Sequence, residues 1–274
     1  MCILFMYVAS KASNDGDYSL ILASNRDEYY DRPSTKMVQW EEDRNVYGGR
    51  DMQDGCEGGT WLAISPTRKK LGVLLNIPGA AKDDPKSRGV LVADYVKSEL
   101  STKEYIDKMS SYIEECSGFL FTTVEFGATT SVRSYDNISK TLIEHDDPIL
   151  GFSNSLPEQP LQKVEPGKDA LKEICEKYNK IEQKEQLINE LLNTLLKSKK
   201  KHLPDPLLET RKPELYKEFS SIYVFLPQAR YGTRTHTLIL LTKTGHLEVI
   251  EKTMVRPIET HNPEWETTEY QFDL

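Results

Sequence analysis

The segment YSLILASNRDE at residues 18–28 and the apolar run CILFMYVA at residues 2–9 predict the centre of the fold. Both apolar runs have the length of a strand and lack polar alternation, which is typical of strands covered on both faces. We therefore expect them to pair as an antiparallel hairpin.

The register of this hairpin places Cys2 beside the polar block Asn-Arg-Asp-Glu at residues 25–28. If Ala9 faces Tyr18, then Cys2 faces Asn25, and a slip of one or two residues still leaves Cys2 next to the block. The sequence therefore predicts a functional site around Cys2 and residues 25–28.

The remaining pattern separates strands from helices along the chain. The helices are predicted in the middle, and the capping box of Ser101 and Glu104 marks the beginning of one of them. This grouping predicts one α+β domain over residues 1–274 rather than a doubly wound parallel sheet. Strands are predicted at residues 61–65, 71–76, 119–125, 131–135, 222–225, 235–241 and 246–252, and helices at 89–100, after Ser101, at 170–178 and through 187–196.

Composition excludes several classes of protein. The 274 residues carry a formal net charge of -8, which argues against a nucleic-acid-binding protein. The four cysteines form no C-x-x-C pair and have no His at metal-ligand spacing, so we expect reduced thiols and no structural zinc. No apolar run is long enough to span a bilayer. The basic run KSKKKH at residues 197–202 is interpreted as a solvated helix end, with contact to a lipid surface as the alternative.

Cys2 suits one kind of chemistry. Removal of Met1 would leave a thiol and an α-amine on the same residue, and an amine with a pKa near ~8 can act as general base for the thiol. Asp27 would orient that amine, and Arg26 would bind an anionic group. The alternative, which position alone favours, is that Cys2 is a buried apolar residue of the first strand.

Several short sequence motifs, taken in their order along the chain, resemble those of a known family. They are the Met-Cys start, NRDEYYDRP at 25–33, GGTWL at 58–62 and YGTR at 231–234. Together they resemble the NRDE-motif family, and specifically its animal members that act in transport and Golgi organisation. The resemblance extends to Trp265-Glu266 and residues 270–272. It implies a four-layer αββα sandwich of the N-terminal-nucleophile hydrolase type, within the α+β class.

A more distant resemblance connects the chain to choloylglycine hydrolases and penicillin V acylases. It implies Cys2 as nucleophile and Asp27 as its partner on the second strand. LNIPG at 75–79 is similar to an oxyanion-hole segment and implies Asn76 as amide donor, and FSNS at 152–155 implies Asn154 in the same pocket. The acylases carry Arg where this chain has Ser24, so Arg234 is the cation that would compensate.

The family resemblance implies roles in Golgi and secretory organisation, lipid and acyl-CoA homeostasis, and haem trafficking, in the cytoplasm with Golgi-associated and mitochondrial pools. The implied ligand is a small amphipathic anion, with haem or acyl-CoA as cargo rather than a certain cofactor. Two alternatives stay open, namely an amidohydrolase that acts on an acyl amide or thioester and a scaffold without a ligand. The ligand-binding residues are predicted to be Asn25, Arg26, Glu28, Arg50, Trp61, Arg88 and Arg234.

Overall fold

The computed structural model describes residues 1–9, 15–79, 82–127 and 129–274. It is a mixed α/β structure with two antiparallel sheets and several helices. The contacts divide the chain into two compact units. The first comprises Met1–Asp31, Asp147–Ser153 and Pro157–Asp273, and the second comprises Arg32–Asp146, Asn154–Leu156 and Leu274.

The sheet of the first unit is built around the predicted hairpin. Its strands are β1 (Ile3–Val8), β2 (Tyr18–Tyr29), β10 (Ile149–Ser153), β11 (Phe225–Leu226), β12 (Tyr231–Thr242), β13 (His246–Met254) and β14 (Trp265–Asp273). Their order is β10-β1-β2-β12-β13-β14, with β11 paired to β12. The long β2 therefore lies between β1 and β12.

The register of β1 with β2 differs from the expectation by one residue. Ile3, and not Cys2, is opposite Asn25. Packing explains the difference, because Ile3 and Phe5 lie in one core cluster with Ile21 and Ala23, and a shift of one residue would separate these pairs onto opposite faces.

Helices cover one face of this sheet. They are α4 (Val164–Lys177), α5 (Lys184–Glu190), a π-helical segment (Leu191–Leu196), α6 (Pro206–Arg211) and α7 (Tyr216–Phe219), with 3-10 turns at Ile181–Gln183 and Pro227–Ala229. Leu171 and Leu195 pack in the same cluster as Phe5. A Cβ at Gly167 would come within 2.2 Å of the Phe5 ring, so glycine lets α4 approach β1 closely.

The second unit is a meander with its own helices. Its strands are β3 (Val38–Gln39), β4 (Tyr47–Gly48), β5 (Leu62–Ser65), β6 (Lys70–Asn76), β7 (Phe119–Phe126), β8 (Thr130–Asp136) and β9 (Thr141–His145), in sequential order across the sheet. Its helices are α1 (Gly89–Lys97), α2 (Thr102–Lys108) and α3 (Ser110–Glu114). The predicted capping box of Ser101 and Glu104 begins α2. Tyr95 on α1 packs against Phe121 of β7.

The strand predicted at residues 222–225 is wrong in its first three residues. Only Phe225 and its successor pair with β12. Tyr223 N–H donates to the Ser198 carbonyl instead. Val224 does contact β12, since its N–H donates to the Thr233 hydroxyl and its carbonyl accepts the Thr233 N–H at 2.8 Å. The regular ladder with β12 therefore begins only at Phe225, because the Thr233 hydroxyl takes the Val224 N–H.

The α+β class is confirmed by the two antiparallel sheets and their helices. The αββα sandwich and the single domain over residues 1–274 stay predictions. Within the described residues, none of the helices has the length and apolar character needed to cross a membrane.

Candidate functional site

The alternation of β2 divides the block at residues 25–28 between two faces of the sheet. Ile21 and Ala23 belong to the core cluster on the helix-covered face. Side chains two residues apart share a face, so Asn25 and Asp27 also point to the helices. Arg26 lies on the other face, as does the residue that follows Asp27.

The side chain of Asn25 forms hydrogen bonds with three residues outside β2. Its amide Nδ2 donates to the carbonyls of Leu196 at 2.8 Å and Ile222 at 3.1 Å. Its Oδ1 lies 2.6 Å from Nδ1 of His236, the residue opposite on β12. Because Nδ2 supplies the donors, Oδ1 is the acceptor and His236 carries its proton on Nδ1. The polar atoms of Asn25 are thus engaged within the fold, and its predicted role in ligand binding stays a prediction.

Asp27 holds a buried carboxylate next to an amine. Thr233 donates its hydroxyl to Oδ1 at 2.6 Å, and the N-terminal ammonium of Met1 lies 3.4 Å from Oδ2. The hydroxyl of Tyr231 accepts a hydrogen bond from the same ammonium and donates to the backbone carbonyl of Asp27 at 3.2 Å. The amine beside Asp27 is thus that of Met1, whereas the expectation concerned the α-amine of Cys2 after removal of Met1, so the role of Asp27 stays a prediction.

Cys2 contacts the backbone of Asp27. Its Sγ accepts the Asp27 N–H at 3.4 Å and lies 3.7 Å from the carbonyl oxygen of Asp27. Burial raises the pKa of the Cys2 thiol, while the N-terminal ammonium of Met1 lowers it in part. The thiol is therefore protonated near neutral pH in this arrangement.

A β-bulge opposite the block brings Arg234 into the site. Asp27 is opposite Thr233 and Arg26 is opposite Thr235, so Arg234 is the extra residue on β12. Bulges redirect a side chain and are frequent next to functional sites. Arg234 is 2% exposed and Arg26 is 6% exposed.

Two buried guanidinium groups are close enough to affect each other. Burial, together with the charges of Arg26 and Arg256, lowers the pKa of Arg234 to about 10, and Glu28 acts in the opposite direction. Arg234 donates from Nη1 to the carbonyl of Tyr29 at 3.0 Å. Like charges in a buried place repel each other, and an anion bound there would relieve that repulsion.

The two predicted amide donors, Asn76 and Asn154, are hydrogen-bonded to each other in the second unit. Asn154 donates from Nδ2 to the backbone carbonyl of Asn76 at 2.6 Å. Asn76 ends β6, and its own side chain is exposed. Asn76 and Asn154 are therefore neighbours, and their shared pocket and catalytic role stay predictions.

Arg50 makes several contacts within the second unit. Its guanidinium lies 3.8 Å from the centre of the Trp40 ring. It donates to the carbonyl of Gly58 at 2.6 Å and forms an ion pair with Glu42. These contacts hold Arg50 as part of the fold.

Arg88 and Trp61 also have structural contacts. Arg88 precedes α1 and donates from Nη1 to the carbonyl of Gly118 at 2.9 Å. Trp61 packs so close to Gly49 that a Cβ there would come within 2.4 Å of the indole ring. The roles of Arg88 and Trp61 in ligand binding stay predictions.

Three residues of this region were not predicted from the sequence, namely Thr233, His236 and Lys163. The position of Thr233 inside the YGTR block could have indicated a partner for Asp27. His236 and Lys163 carry no local signal, because both depend on partners distant in the chain.

Two antiparallel sheets, and a buried carboxylate and amine at the end of β2, define this chain as a mixed α/β protein with a charged site at its central hairpin. Comparison with known families shows which one it represents. The family model described as "Transport and Golgi organisation 2" matches residues 1–256. The chain therefore belongs to the Transport and Golgi organisation 2 family, as the NRDE resemblance indicated.

Curated relatives match over their full length. Transport and Golgi organization protein 2 of Drosophila melanogaster is 35% identical over 284 residues, and the alignment covers 100% of this chain and 99% of the relative. The homologues of Homo sapiens and Mus musculus are 34% and 33% identical, with the same coverage of both chains.

Proposed function

We propose that this chain takes part in transport and Golgi organisation by binding a small amphipathic anion beside Cys2 and the block at residues 25–28. The names of its relatives support the cellular role. The observation that carries the binding role is the pair of buried guanidinium groups, Arg26 and Arg234.

Arginine pairs suit the chemistry of such a ligand. A guanidinium forms paired hydrogen bonds with a carboxylate or phosphate, and these bonds strengthen away from water. Haem has propionates on an apolar ring, and acyl-CoA has phosphates beside an acyl chain, so both fit the description of the cargo. Lipid and acyl-CoA homeostasis and haem trafficking are the roles that this binding would serve, in the cytoplasm with Golgi-associated and mitochondrial pools.

Titration with haem and with an acyl-CoA tests the proposal, using the full chain and its Arg26→Gln and Arg234→Gln variants. A charge-assisted hydrogen bond contributes about 1.5–3 kcal/mol, so each variant should bind roughly tenfold to a hundredfold more weakly. Arg133→Gln is the matched control, because Arg133 pairs with Glu125 and Glu144 in the second unit.

Native mass spectrometry of protein purified gently from cells gives an independent result. We expect part of the protein to carry a bound small molecule. Empty protein that also fails to bind haem and acyl-CoA by titration would refute the binding role and favour a scaffold without a ligand.

The contacts of Cys2 favour a second candidate function, that of an amidohydrolase. If Met1 is removed, the amine that pairs with Asp27 would belong to Cys2 itself. The thiolate would attack an acyl carbonyl and form a C–S bond, the amide or thioester bond would break, and the α-amine would return the proton to the leaving group. Water would then hydrolyse the thioester. Asn76 and Asn154 are the proposed oxyanion donors, in the αββα sandwich that the resemblance implies.

Intact mass of the N-terminus distinguishes this candidate from a carrier. Retained Met1 excludes a free amine on Cys2 and with it the mechanism. If Met1 is absent, Cys2→Ser should abolish turnover of an acyl amide or thioester while ligand affinity stays the same.

A further inference from the structure

Lys163 is a fully buried cation of the first unit. Its side chain is 0% exposed, and its ammonium donates to the Ser221 carbonyl at 2.8 Å. An ammonium has three N–H donors, and a buried charge without compensating partners is strongly destabilising. One carbonyl is a small part of the compensation that this charge requires.

The position of Lys163 in the fold brings it to the Cys2 site. Lys163 directly precedes α4. Its neighbour Val164 packs in one core cluster with Met1 and Ile3, the two residues that flank Cys2. Helix α4 itself packs against β1, as the closeness of Gly167 to the Phe5 ring shows.

Hydrogen bonds lead from the partner of Lys163 to Asp27. Farther along the segment that begins with Ser221, Val224 N–H donates to the Thr233 hydroxyl at 2.9 Å. That hydroxyl donates to Oδ1 of Asp27 at 2.6 Å. Within the described part of the chain, Oδ2 of Asp27 is buried and has no hydrogen-bond donor, although the N-terminal ammonium lies 3.4 Å away.

Electrostatic interactions also connect Lys163 with Asp27. Burial lowers the pKa of Lys163, whereas the charges of Asp27, Cys2 and Asp205, in that order, raise it. Asp205 already accepts two backbone N–H groups, at 2.9 and 3.0 Å. Among the charges that raise the pKa of Lys163, that of Asp27 acts most strongly.

We propose that Lys163 is a positioning residue of the Cys2 site, whose buried ammonium balances the charge of Asp27 and stabilises a Cys2 thiolate when one forms. This inference rests on the proposed function, because it assigns Lys163 to the same site. Ser24 on β2 donates its hydroxyl to the Ile3 carbonyl at 3.1 Å and brings no charge. The beginning of α4 supplies the cation instead.

The other charged groups around the Cys2 thiol determine in which direction its pKa should shift. Burial raises the pKa of Cys2, the N-terminal ammonium lowers it, Asp27 raises it and Arg26 lowers it. The nearby Tyr231 hydroxyl is neutral, since burial raises its pKa well above the ordinary value. Removal of the Lys163 charge leaves Asp27 less balanced, so the thiol pKa should rise.

The test follows the alkylation of Cys2 by iodoacetamide between pH 6 and pH 10, read as the mass of the N-terminal peptide. Lys163→Met should move the profile to higher pH and slow the reaction at pH 8 by about tenfold for each unit of pKa. Lys163→Arg should restore the profile. Lys172→Met on the same helix is the control, because Lys172 is an exposed partner of Glu176.

An unchanged profile in Lys163→Met would overturn the inference, as would equal shifts in Lys163→Met and Lys172→Met. Absence of any Cys2 reaction in the wild type would also overturn it. The alkylation result does not depend on a bound ligand. If the protein binds neither haem nor acyl-CoA but Lys163→Met still shifts the alkylation profile, the proposed function is refuted and the role of Lys163 is not.

A double-mutant cycle keeps the inference testable if Lys163→Met unfolds the protein. Loss of one partner leaves the other charge buried and uncompensated, so Asp27→Asn should recover stability in the Lys163→Met background. Thermal unfolding measures this recovery. If Asp27→Asn changes stability equally in the wild type and in the Lys163→Met background, the two charges do not interact.

Discussion

The pH dependence of stability should depend on His236, which is completely buried between aromatic rings. Its ring stacks on Trp265 with centroids 4.9 Å apart, and Asn25 accepts its Nδ1 proton. Burial, together with the charges of Lys197 and Lys252, lowers the pKa of His236 to about 3. The folded protein therefore holds a neutral imidazole at every pH at which it is normally studied.

The magnitude follows from the difference between the folded and unfolded states. An unfolded histidine has a pKa near ~6.5, so above that pH neither state binds the proton and the contribution of His236 to stability is complete. As the pH falls from about 6.5 towards 3, the unfolded state takes up a proton that the folded state refuses, and stability falls. At about 1.36 kcal/mol for each pKa unit, the loss between pH 7 and pH 5 is about 2 kcal/mol.

Urea unfolding followed by tryptophan fluorescence at pH 7 and pH 5 measures this loss. Other titrating groups contribute equally to the wild type and to His236→Gln, so the variant should lose about 2 kcal/mol less between the two pH values. His261→Gln, at an exposed histidine, should behave as the wild type does. If His236→Gln and the wild type lose the same free energy of unfolding within about 0.5 kcal/mol, the reasoning is refuted.

Three further substitutions test the packing around the sites by urea or thermal unfolding. Asn25→Ala leaves two buried carbonyls without their donor and should cost about 3 kcal/mol, and a loss below about 1 kcal/mol would contradict this account. Gly49→Ala puts a Cβ within 2.4 Å of Trp61 and should cost about 1–3 kcal/mol, whereas Gly127→Ala meets its nearest atom at 3.4 Å and should be nearly neutral. Ser101→Ala removes the capping box of α2 and should cost about 1 kcal/mol, so an unchanged melting temperature would exclude a contribution from the cap.

Local patterns predicted the parts of the fold that local forces determine. The apolar runs that became β1 and β2 are long, and the capping box of α2 needs only residues close in sequence. The edge strand β14 was missed because Trp265, Tyr270 and Phe272 are its only apolar residues and the others are polar or charged. An edge strand is bonded on one side and needs little apolar surface.

Features that depend on tertiary partners could not be predicted. The leucines at 191–196 were predicted to be α-helical but form a π-helical segment, Leu191–Leu196. The leucine pattern does not distinguish the two, because an α-helix and a π-helix both place these leucines on one face. The Leu196 carbonyl that accepts Asn25 belongs to this segment. The bulge at Arg234 is equally invisible, because one additional residue on β12 is defined only by its partner strand.

The bulge changes what the block at residues 25–28 can do. Four consecutive residues of a regular strand cannot form one cluster, since alternate side chains face opposite ways. Asn25 and Asp27 accordingly bind to the helix side, where they hold His236 and the N-terminal ammonium. Arg26 points away from them, and the bulge adds Arg234 as a second cation. Substitutions should therefore separate by face, so that Asn25 and Asp27 variants alter stability and the charge at Cys2, whereas Arg26 and Arg234 variants alter the affinity for an anion.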